Sequence, residues 1–234
     1  MEVVKNDLFD YGLSIYQDQD GFKFSLDSIL LAEFVELKNN DLSIVDFCSG
    51  NGAVPLILST KTSSKIIGFE VQEHPFELAY NSVKLNKLSK QIKMVNANLN
   101  EAFEYVLPES VDIVTCNPPY FKVKPESNIN EVMEKAIARH ELQTNLEEII
   151  MSSRYILKNK GVLYMVHRPE RLVEIIDVLK KYKFSVKKLQ FVYSNYKKNA
   201  LMVLIKATKN GLDGLKVNPP INVLDYKSYK NIFD

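Results

Sequence analysis

The most specific chemical signal in the sequence is Asn117-Pro118-Pro119-Tyr120, which directly follows a short apolar run. Two consecutive prolines fix φ and hold such a segment stiff. The Asn117 side-chain oxygen and the Pro118 carbonyl can accept both N–H bonds of an exocyclic amine and so aim its lone pair at an electrophile. Tyr120 offers a face on which a base can stack. The tetrapeptide predicts amine-directed group transfer, although a polyproline turn closing a strand would use the same residues.

A second signal is the loop at 46–52, with the sequence DFCSGNG, followed eighteen residues later by Glu70. Glycines at a strand–helix turn let the backbone approach a ligand without a Cβ clash. An acid at the end of the next strand can accept both hydroxyls of a ribose. Pro55 stands where a dinucleotide site would need its third glycine, so we predict a nucleoside without a diphosphate, S-adenosylmethionine. Asp46 is expected near its methionine ammonium, directly or through water; a plain tight turn is the alternative.

Short apolar runs alternate with helical patterns and would place both signals at one edge of a sheet. The expected strands are 43–47, 65–70, 92–95, 111–115 and 161–166, and the expected helices are 53–59, 76–85, 146–157 and 169–182. This alternation predicts a mostly parallel α/β sheet with helices on both faces. Two further β-rich runs, 184–193 and 200–206, have no helix between them, which requires an antiparallel strand.

The N-terminal segment is predicted to form a hairpin and a helix. Runs at 13–16 and 22–24 flank a polar loop that ends at Gly21, as in a hairpin. Asp27-Ser28 is then expected to introduce a helix over 29–37. We expect residues 1–40 to pack on a single globular domain formed by residues 41–234.

On these residues the chain resembles the class I S-adenosylmethionine-dependent methyltransferases of the amino-methylating Asn-Pro-Pro-Tyr type. Within that group it is similar to the bacterial tRNA1(Val) (adenine-37-N6)-methyltransferases. The stretches that carry the resemblance are 24–32 (FSLDSILLA), 46–58, 68–72, 117–121, 138–141 (ARHE), 167–172 (HRPERL) and 219–220. The resemblance implies a Rossmann-like seven-stranded sheet of order 3-2-1-4-5-7-6 and in-line methylation of N6 of adenosine 37, beside the anticodon of tRNA(Val).

The resemblance also implies the residues of the site. The expected catalytic residues are Asn117, Pro118, Pro119 and Tyr120. The expected cofactor contacts are Asp46, Cys48, Gly50, Asn51, Gly52, Glu70, Val71, Asn98, Leu99 and Asn117. Such enzymes usually carry an aspartate at the position of Asn98, where its carboxylate reaches the adenine amino group of the cofactor. A neutral amide is a weaker acceptor, so this departure predicts weaker cofactor binding with the reaction retained.

The substrate side is expected to bind RNA. The expected contacts are Phe24, Phe121, Lys122, Arg139, His140, His167, Arg168, Lys187, Lys188, Lys197 and Lys198. The polar stretch 121–141 is predicted to be a mobile lid that orders around a flipped adenosine, or else a disordered surface loop. His167 is expected to make hydrogen bonds or face the RNA rather than act as a base, since the chemistry needs none. Arg168 and Arg171 would contact phosphates, or form salt bridges along a helix.

The overall charge hides an asymmetry. The net charge is +1, yet residues 180–234 hold twelve lysines against three aspartates, which gives +9 there and leaves −8 for residues 1–179. We predict that the acidic part binds a cationic cofactor and the basic part the RNA backbone. Lysines that serve only solubility are the alternative.

Composition excludes several classes of protein. With 46% hydrophobic and 25% charged residues, the chain is neither a disordered tail, a collagen-like fibre nor a disulfide miniprotein. Cys48 and Cys116 are expected to be neighbouring buried thiols in a reducing cytoplasm. The sequence shows no metal-ligand spacing, no apolar run of about 18 residues and no signal peptide, so no metal, membrane or obligate protein partner is expected.

Other functions share the same tetrapeptide. The alternatives are methylation of rRNA guanine N2, of DNA adenine N6 or of a glutamine in a release factor. The glutamine enzymes would normally bring a separate helical N-terminal domain, whereas about forty residues precede the glycine loop here. From another class, the chain could be a non-catalytic RNA-binding protein that retains the fold.

Overall fold

The computed structural model describes residues 2–8, 11–19, 25–37, 42–119, 145–195 and 197–223. A hairpin of β1 (Val3–Leu8) and β2 (Leu13–Asp18) precedes helix α1 (Leu26–Phe34). The first half of the sheet region consists of β3 (Ser43–Phe47), α2 (Ala53–Lys61), β4 (Lys65–Glu70), α3 (Glu73–Leu85), β5 (Ile92–Asn96), a 3₁₀ helix (Leu99–Glu104) and β6 (Val111–Cys116). The second half consists of α4 (Leu146–Ile156), β7 (Leu157–His167), a 3₁₀ turn (Pro169–Arg171), α5 (Leu172–Lys181), β8 (Phe184–Tyr193), β9 (Met202–Lys209), β10 (Lys216–Val217) and β11 (Ile221–Asn222).

The main sheet has the expected strand order. Its strands run β10-β8-β9-β7-β6-β3-β4-β5, and β11 also pairs with β8. Counted from β3, the seven long strands follow the order 3-2-1-4-5-7-6, with β9 antiparallel to both of its neighbours. Within the described residues the sheet has nine strands rather than seven, because the segment after β9 returns along the free edge of β8. Pro219 and Pro220 have no N–H to donate, and the added pairing breaks into two short strands there.

Helices cover both faces of the sheet. Helices α1, α2 and α3 pack on one face, and the 3₁₀ helix, α4 and α5 pack on the other. In β3, Ile44 enters the first apolar core while Val45 and Phe47 enter the second. A strand buried on both faces reads as a continuous apolar run, which explains why the expected bounds of β3 match the structure.

The N-terminal hairpin that the structure describes is formed by β1 and β2. Residues 22–24, the expected partner of the run at 13–16, lie outside the described residues together with Gly21. β1 has only one buried residue, Leu8, so its sequence lacks the apolar alternation that marks a strand. The other edge of β2 is bonded by α3: Asn86 pairs with the backbone N–H and carbonyl of Ser14 at 3.0 and 2.6 Å, and the Ser82 hydroxyl accepts from Tyr16 N at 2.9 Å.

Helix α1 is shifted by one turn from its expected position. It begins at Leu26 with Ser25 as N-cap, and it ends at Phe34. Ser28 therefore lies inside the first turn instead of capping the helix, and its hydroxyl is available for a contact elsewhere.

Candidate active site

The predicted site residues converge on the carboxyl edge of the sheet. The chain moves outward from β3 through β4 to β5, then crosses back to β6 on the other side of β3. Ligands of open α/β sheets bind at such a reversal of strand order. The glycine loop follows β3, Glu70 ends β4, Asn98 follows β5 and Asn117 follows β6. The structure thus brings together four segments that are far apart in the sequence.

The glycine loop needs its left-handed conformations. Cys48, Gly50 and Gly52 have φ of 57°, 54° and 87°. A Cβ at Gly52 would lie 3.1 Å from the Cβ of Ala79 in α3. Gly52 is therefore required both for the loop conformation and for the close packing of α3, and the sequence motif alone does not indicate the second requirement.

Gly68 in β4 is a residue that the motif analysis missed. A Cβ there would lie 2.8 Å from Ser49 Oγ and 2.7 Å from Met94 Cε. The Ser49 side chain of the glycine loop lies this close to β4, and Ser49 N donates to Phe69 O at 3.0 Å. A glycine inside a strand pattern is the signal that could have identified this close approach.

Asp46 presents an unsatisfied carboxylate oxygen at the crevice. It is 1% exposed, and its Oδ1 accepts from Thr115 Oγ1 at 2.5 Å. Its Oδ2 is buried and has no hydrogen-bond partner in the described part of the chain. The pKa of Asp46 is raised to about 7, chiefly by burial; the charge of nearby Glu70 contributes to the rise, and the Thr115 bond opposes it. An ammonium group, or a water that bridges to one, would satisfy Oδ2, so the site fits a ligand with a cationic amine.

Glu70 joins the glycine loop to the turn before α3. Its Oε2 accepts from Gly50 N at 2.8 Å and its Oε1 from Gln72 N at 2.9 Å. Asn96, a residue that sequence reasoning missed, donates from Nδ2 to the Glu70 carbonyl at 2.8 Å. Each carboxylate oxygen can accept more than one bond, so Glu70 holds the loop and can also accept from ribose hydroxyls.

The other expected cofactor contacts lie in the glycine loop and after the ends of β4 and β5. Asn98 accepts from Asn100 N at 2.9 Å and caps the 3₁₀ helix, Leu99 is buried, and Val71 is 36% exposed. Asn51 is buried and donates from Nδ2 to Tyr16 O at 3.4 Å, which ties the glycine loop to the hairpin. The hairpin is therefore attached to the loop as well as to α3.

The segment Asn117–Pro119 follows β6 beside the same crevice. Pro118 is buried, whereas Asn117 and Pro119 are half-buried. Asn117 Nδ2 donates to the hydroxyl of Ser28 in α1 at 3.0 Å. Sequence reasoning treated Ser28 as the start of a helix and missed this contact, which spans 89 residues. Tyr120 lies outside the described residues.

The two cysteines are neighbours, as expected. Cys116 ends β6 opposite Phe47 of β3, and Cys48 of the glycine loop follows Phe47 directly. Burial, followed by the hydrogen bond with Cys48, raises the pKa of the Cys116 thiol well above its ordinary value. Cys116 is fully buried, whereas Cys48 is only half-buried.

Three of the expected RNA contacts have suitable positions. Lys197 and Lys198 are exposed in the connection between β8 and β9. β8 runs parallel to β7, so this connection lies at the carboxyl edge with the glycine loop and Asn117. Arg168 follows β7 at the same edge and donates from Nη1 to Leu201 O at 2.9 Å, which anchors the connection.

Three other expected RNA contacts have intramolecular partners in the structure. His167 is 1% exposed and accepts from Arg168 N at its Nδ1, and burial lowers its pKa to about 4, so its imidazole is uncharged near neutral pH. Lys187 donates to the carbonyls of Leu212 and Asp213, each at 3.1 Å. Lys188 forms an ion pair with Glu36. Both lysines lie along β8 rather than at its end, and intramolecular partners bind their charged groups.

The remaining expected contacts lie outside the described residues, as does the whole stretch 121–141. They are Phe24, Phe121, Lys122, Arg139 and His140. Within the described ranges, no group of three or more His, Cys, Asp or Glu side chains could hold a metal ion. Nor does any helix of the described chain have the length and apolar character to cross a membrane.

Comparison with known proteins agrees with this geometry. The curated tRNA1(Val) (adenine(37)-N6)-methyltransferase of Flavobacterium psychrophilum is 24% identical over 201 residues, covering 84% of each chain. A predicted O-methyltransferase from Agrobacterium tumefaciens superposes with a TM-score of 0.67 at 19% identity, covering 84% of this chain and 87% of that one. The geranyl diphosphate C-methyltransferase of Streptomyces coelicolor A3(2), solved with S-adenosyl-L-homocysteine, gives a TM-score of 0.58 at 10% identity, covering 78% and 74%.

The strand order and the crevice between β3 and β6 define a Rossmann-like methyltransferase. Residues 24–195 match the methyltransferase small domain, and the chain belongs to that family. It is therefore an enzyme, and the predicted cofactor, S-adenosylmethionine, is confirmed at the level of the family and its fold.

Proposed function

We propose that the protein transfers the methyl group of S-adenosylmethionine to the N6 amine of an adenosine in tRNA, adenosine 37 of tRNA(Val). The observation that carries the proposal is the position of Asn117-Pro118 at the carboxyl end of β6, beside the crevice that contains Asp46 and Glu70. The printed name of the Flavobacterium psychrophilum relative, which aligns with most of this chain, supports the choice of substrate.

Four residues are suited to hold the cofactor, which when bound supplies an electrophilic sulfonium methyl group. Asp46 Oδ2, buried and without a partner in the described chain, would accept from the methionine ammonium or from a bridging water. Glu70 would accept from the ribose hydroxyls while it keeps its bonds to Gly50 and Gln72. Asn98 and Leu99 would flank the adenine at the end of β5.

The chain activates the target amine by position and polarity. The adenine N6 lone pair is delocalised into its ring, so the amine is a weak nucleophile. Asn117 Oδ1 and the Pro118 carbonyl would accept its two N–H bonds, favour a pyramidal nitrogen and direct the lone pair at the methyl group. The methylated nitrogen is acidic enough to lose its proton to water. His167 is buried with a pKa near 4, in agreement with a reaction that uses no histidine base.

The residues that we propose to bind tRNA lie at the carboxyl edge of the sheet. Lys197, Lys198 and Arg168 lie there and would contact tRNA phosphates. The hairpin is bonded to α3 and to the glycine loop, so we propose that residues 1–40 act with residues 41–234 as one unit. The reaction would take place in the cytoplasm, with the cysteines reduced.

The direct test incubates the protein with tritiated S-adenosylmethionine and total unmodified tRNA and then separates the nucleosides. The proposal expects label in N6-methyladenosine. Label in another nucleoside, or no label in RNA, would refute it. Calorimetric titration with S-adenosylmethionine distinguishes an enzyme from a non-catalytic RNA-binding protein, because only the enzyme must bind the cofactor.

A further inference from the structure

We propose that Ser28 is a positioning residue that orients the Asn117 amide for methyl transfer, an inference that rests on the proposed function. The proposal is based on the 3.0 Å hydrogen bond from Asn117 Nδ2 to Ser28 Oγ. It joins the first turn of α1 to the end of β6, two elements that neither sequence motif connects.

The bond holds one end of the amide and leaves the other end turned away from α1. An asparagine side chain has two N–H donors at one end and an acceptor oxygen at the other. Because the donor end is bonded to α1, Oδ1 is turned to the opposite side of the amide. A target amine needs that acceptor, since a flipped amide would set N–H groups against the N–H groups of the substrate. The bond to Ser28 therefore holds Asn117 in the orientation that can bind an amine.

Asn117 needs such a partner because its backbone and its side chain are restrained differently. Pro118 and Pro119 fix the backbone after Asn117, and a residue before proline is itself restricted to extended conformations. The terminal torsion of asparagine, by contrast, is broad and close to two-fold, so the amide can turn over on a rigid backbone. The Ser28 hydroxyl restrains this torsion.

The hydroxyl can serve this purpose because α1 itself is fixed. Leu26, Ile29 and Leu30 are at most 3% exposed and hold the first turn of the helix in the core. Ser25, not Ser28, occupies the N-cap position of α1. The Ser28 side chain is therefore not required to cap the helix, and its bond across to β6 connects two rigidly packed elements.

The test compares methyl transfer to tRNA by wild type, Ser28→Ala, Ser28→Cys and Ser28→Thr, with cofactor affinity measured by calorimetry. Alanine removes the acceptor, cysteine keeps the size but is a weak acceptor, and threonine keeps the hydroxyl. We expect kcat to fall about tenfold in the first two variants, with cofactor Kd changed by less than about twofold. Ser28→Thr should retain most of the wild-type kcat. Having two variants without a strong acceptor keeps the test valid if one fails to fold.

Two controls separate positioning from a general structural effect. Ser25→Ala makes the same change on the same helix, at a side chain without a capping hydrogen bond, and should leave kcat unchanged. Ser28→Ala added to Asn117→Ala should cause no further loss, because no amide remains to be oriented. A wild-type kcat in Ser28→Ala would overturn this inference but not the proposed function. The same holds if Ser28→Ala lowers kcat in the Asn117→Ala background as much as it does in the wild type. A wild-type enzyme that does not methylate tRNA adenosine would overturn the proposed function, and this inference with it.

Discussion

At the scale of single residues, the site combines side chains held by internal hydrogen bonds with one buried acceptor that has no hydrogen-bond partner among the described residues. Glu70 is bonded to two backbone N–H groups, and Asn117 is bonded to Ser28. Asp46 has one bonded oxygen, and its other oxygen has no partner among the described residues. The burial of that unmet acceptor raises the pKa of Asp46, so its carboxylate is costly until a cation arrives.

Asp46 should give protein stability a measurable pH dependence. Its pKa is raised from 3.8 to about 7, so the folded protein holds this proton more tightly than the unfolded chain. Its contribution to stability is complete below about pH 4 and is lost as the pH rises to about 7. The free energy of unfolding of wild type minus that of Asp46→Asn should fall across this window, by at most about 1.4 kcal/mol per pH unit.

Urea unfolding of both proteins at several pH values measures this difference. The depressed pKa of His167 has the opposite effect, giving stability that is lost as the pH falls from about 6.5 to about 4. His167 is present in both proteins, so its contribution cancels in the difference. A difference that stays constant from about pH 4 to about pH 7 would show that Asp46 is ionised throughout.

Replacement of Asn117 should affect the reaction more than the binding of the cofactor. Asn117→Ala removes the acceptor proposed for the target amine, so kcat should fall by about a hundredfold or more. Calorimetry should find cofactor affinity within about threefold of wild type, because the bonds made by Asp46 and Glu70 remain. Equal losses in kcat and in affinity would mean that Asn117 builds the cofactor pocket and does not direct the amine.

At the scale of elements, α3 connects the hairpin to the site. The edge of β2 that faces away from β1 is bonded by Ser82 of α3, by the C-cap residue of α3, Asn86, and by Asn51 of the glycine loop. Asp18 at the end of β2 accepts from His74 in the first turn of α3 at 2.9 Å. Side chains thus replace a neighbouring strand and connect the hairpin to the cofactor side of the sheet.

Loss of the Asn86 amide should loosen the hairpin. Asn86→Ala removes two bonds to Ser14 and one to Ser82 O, so the free energy of unfolding should fall by about 2 kcal/mol. The Ser14 amide should also exchange its hydrogen faster by NMR or mass spectrometry. Asn81→Ala is the matched control, an exposed asparagine of the same helix. The account would be wrong if both variants lost equal stability and the Ser14 amide kept its protection.

Local sequence predicted the central elements well but not the contacts between distant segments. β3 and β4 have the expected bounds because strands buried on both faces read as apolar runs. β1 was missed because most of its side chains are at least partly exposed. The contact of Ser28 with Asn117 and the bonds of Asn86 to Ser14 depend on tertiary packing, which the local pattern does not encode.

At the scale of the whole molecule, the positions of the lysines limit how many of their charges are available to bind RNA. The basic residues 180–234 include Lys187 and Lys188, whose charges have internal partners, and Lys197 and Lys198, exposed at the carboxyl edge. The sequence predicted an excess of positive charge, but only the fold separates lysines that face the site from lysines that stabilise β8. Part of the positive charge of residues 180–234 is therefore bound by partners within the fold.

The two lysines at the carboxyl edge should account for part of the salt dependence of tRNA binding. Replacing both Lys197 and Lys198 with alanine should weaken binding and reduce the slope of log K against log salt by about 1 to 2. Lys87→Ala with Lys90→Ala removes the same charge at the amino edge of the sheet and should change little. Fluorescence anisotropy with labelled tRNA over a salt series measures both. Equal effects of the two pairs would indicate general attraction without a preferred face.

The most direct test of the central claim uses two transcripts of tRNA(Val), one with adenosine and one with guanosine at position 37. Each is incubated with the protein and tritiated S-adenosylmethionine, then digested to nucleosides. The account predicts label in N6-methyladenosine from the adenosine transcript and none from the guanosine transcript. Equal labelling of the two transcripts, or label in any other nucleoside, would contradict it.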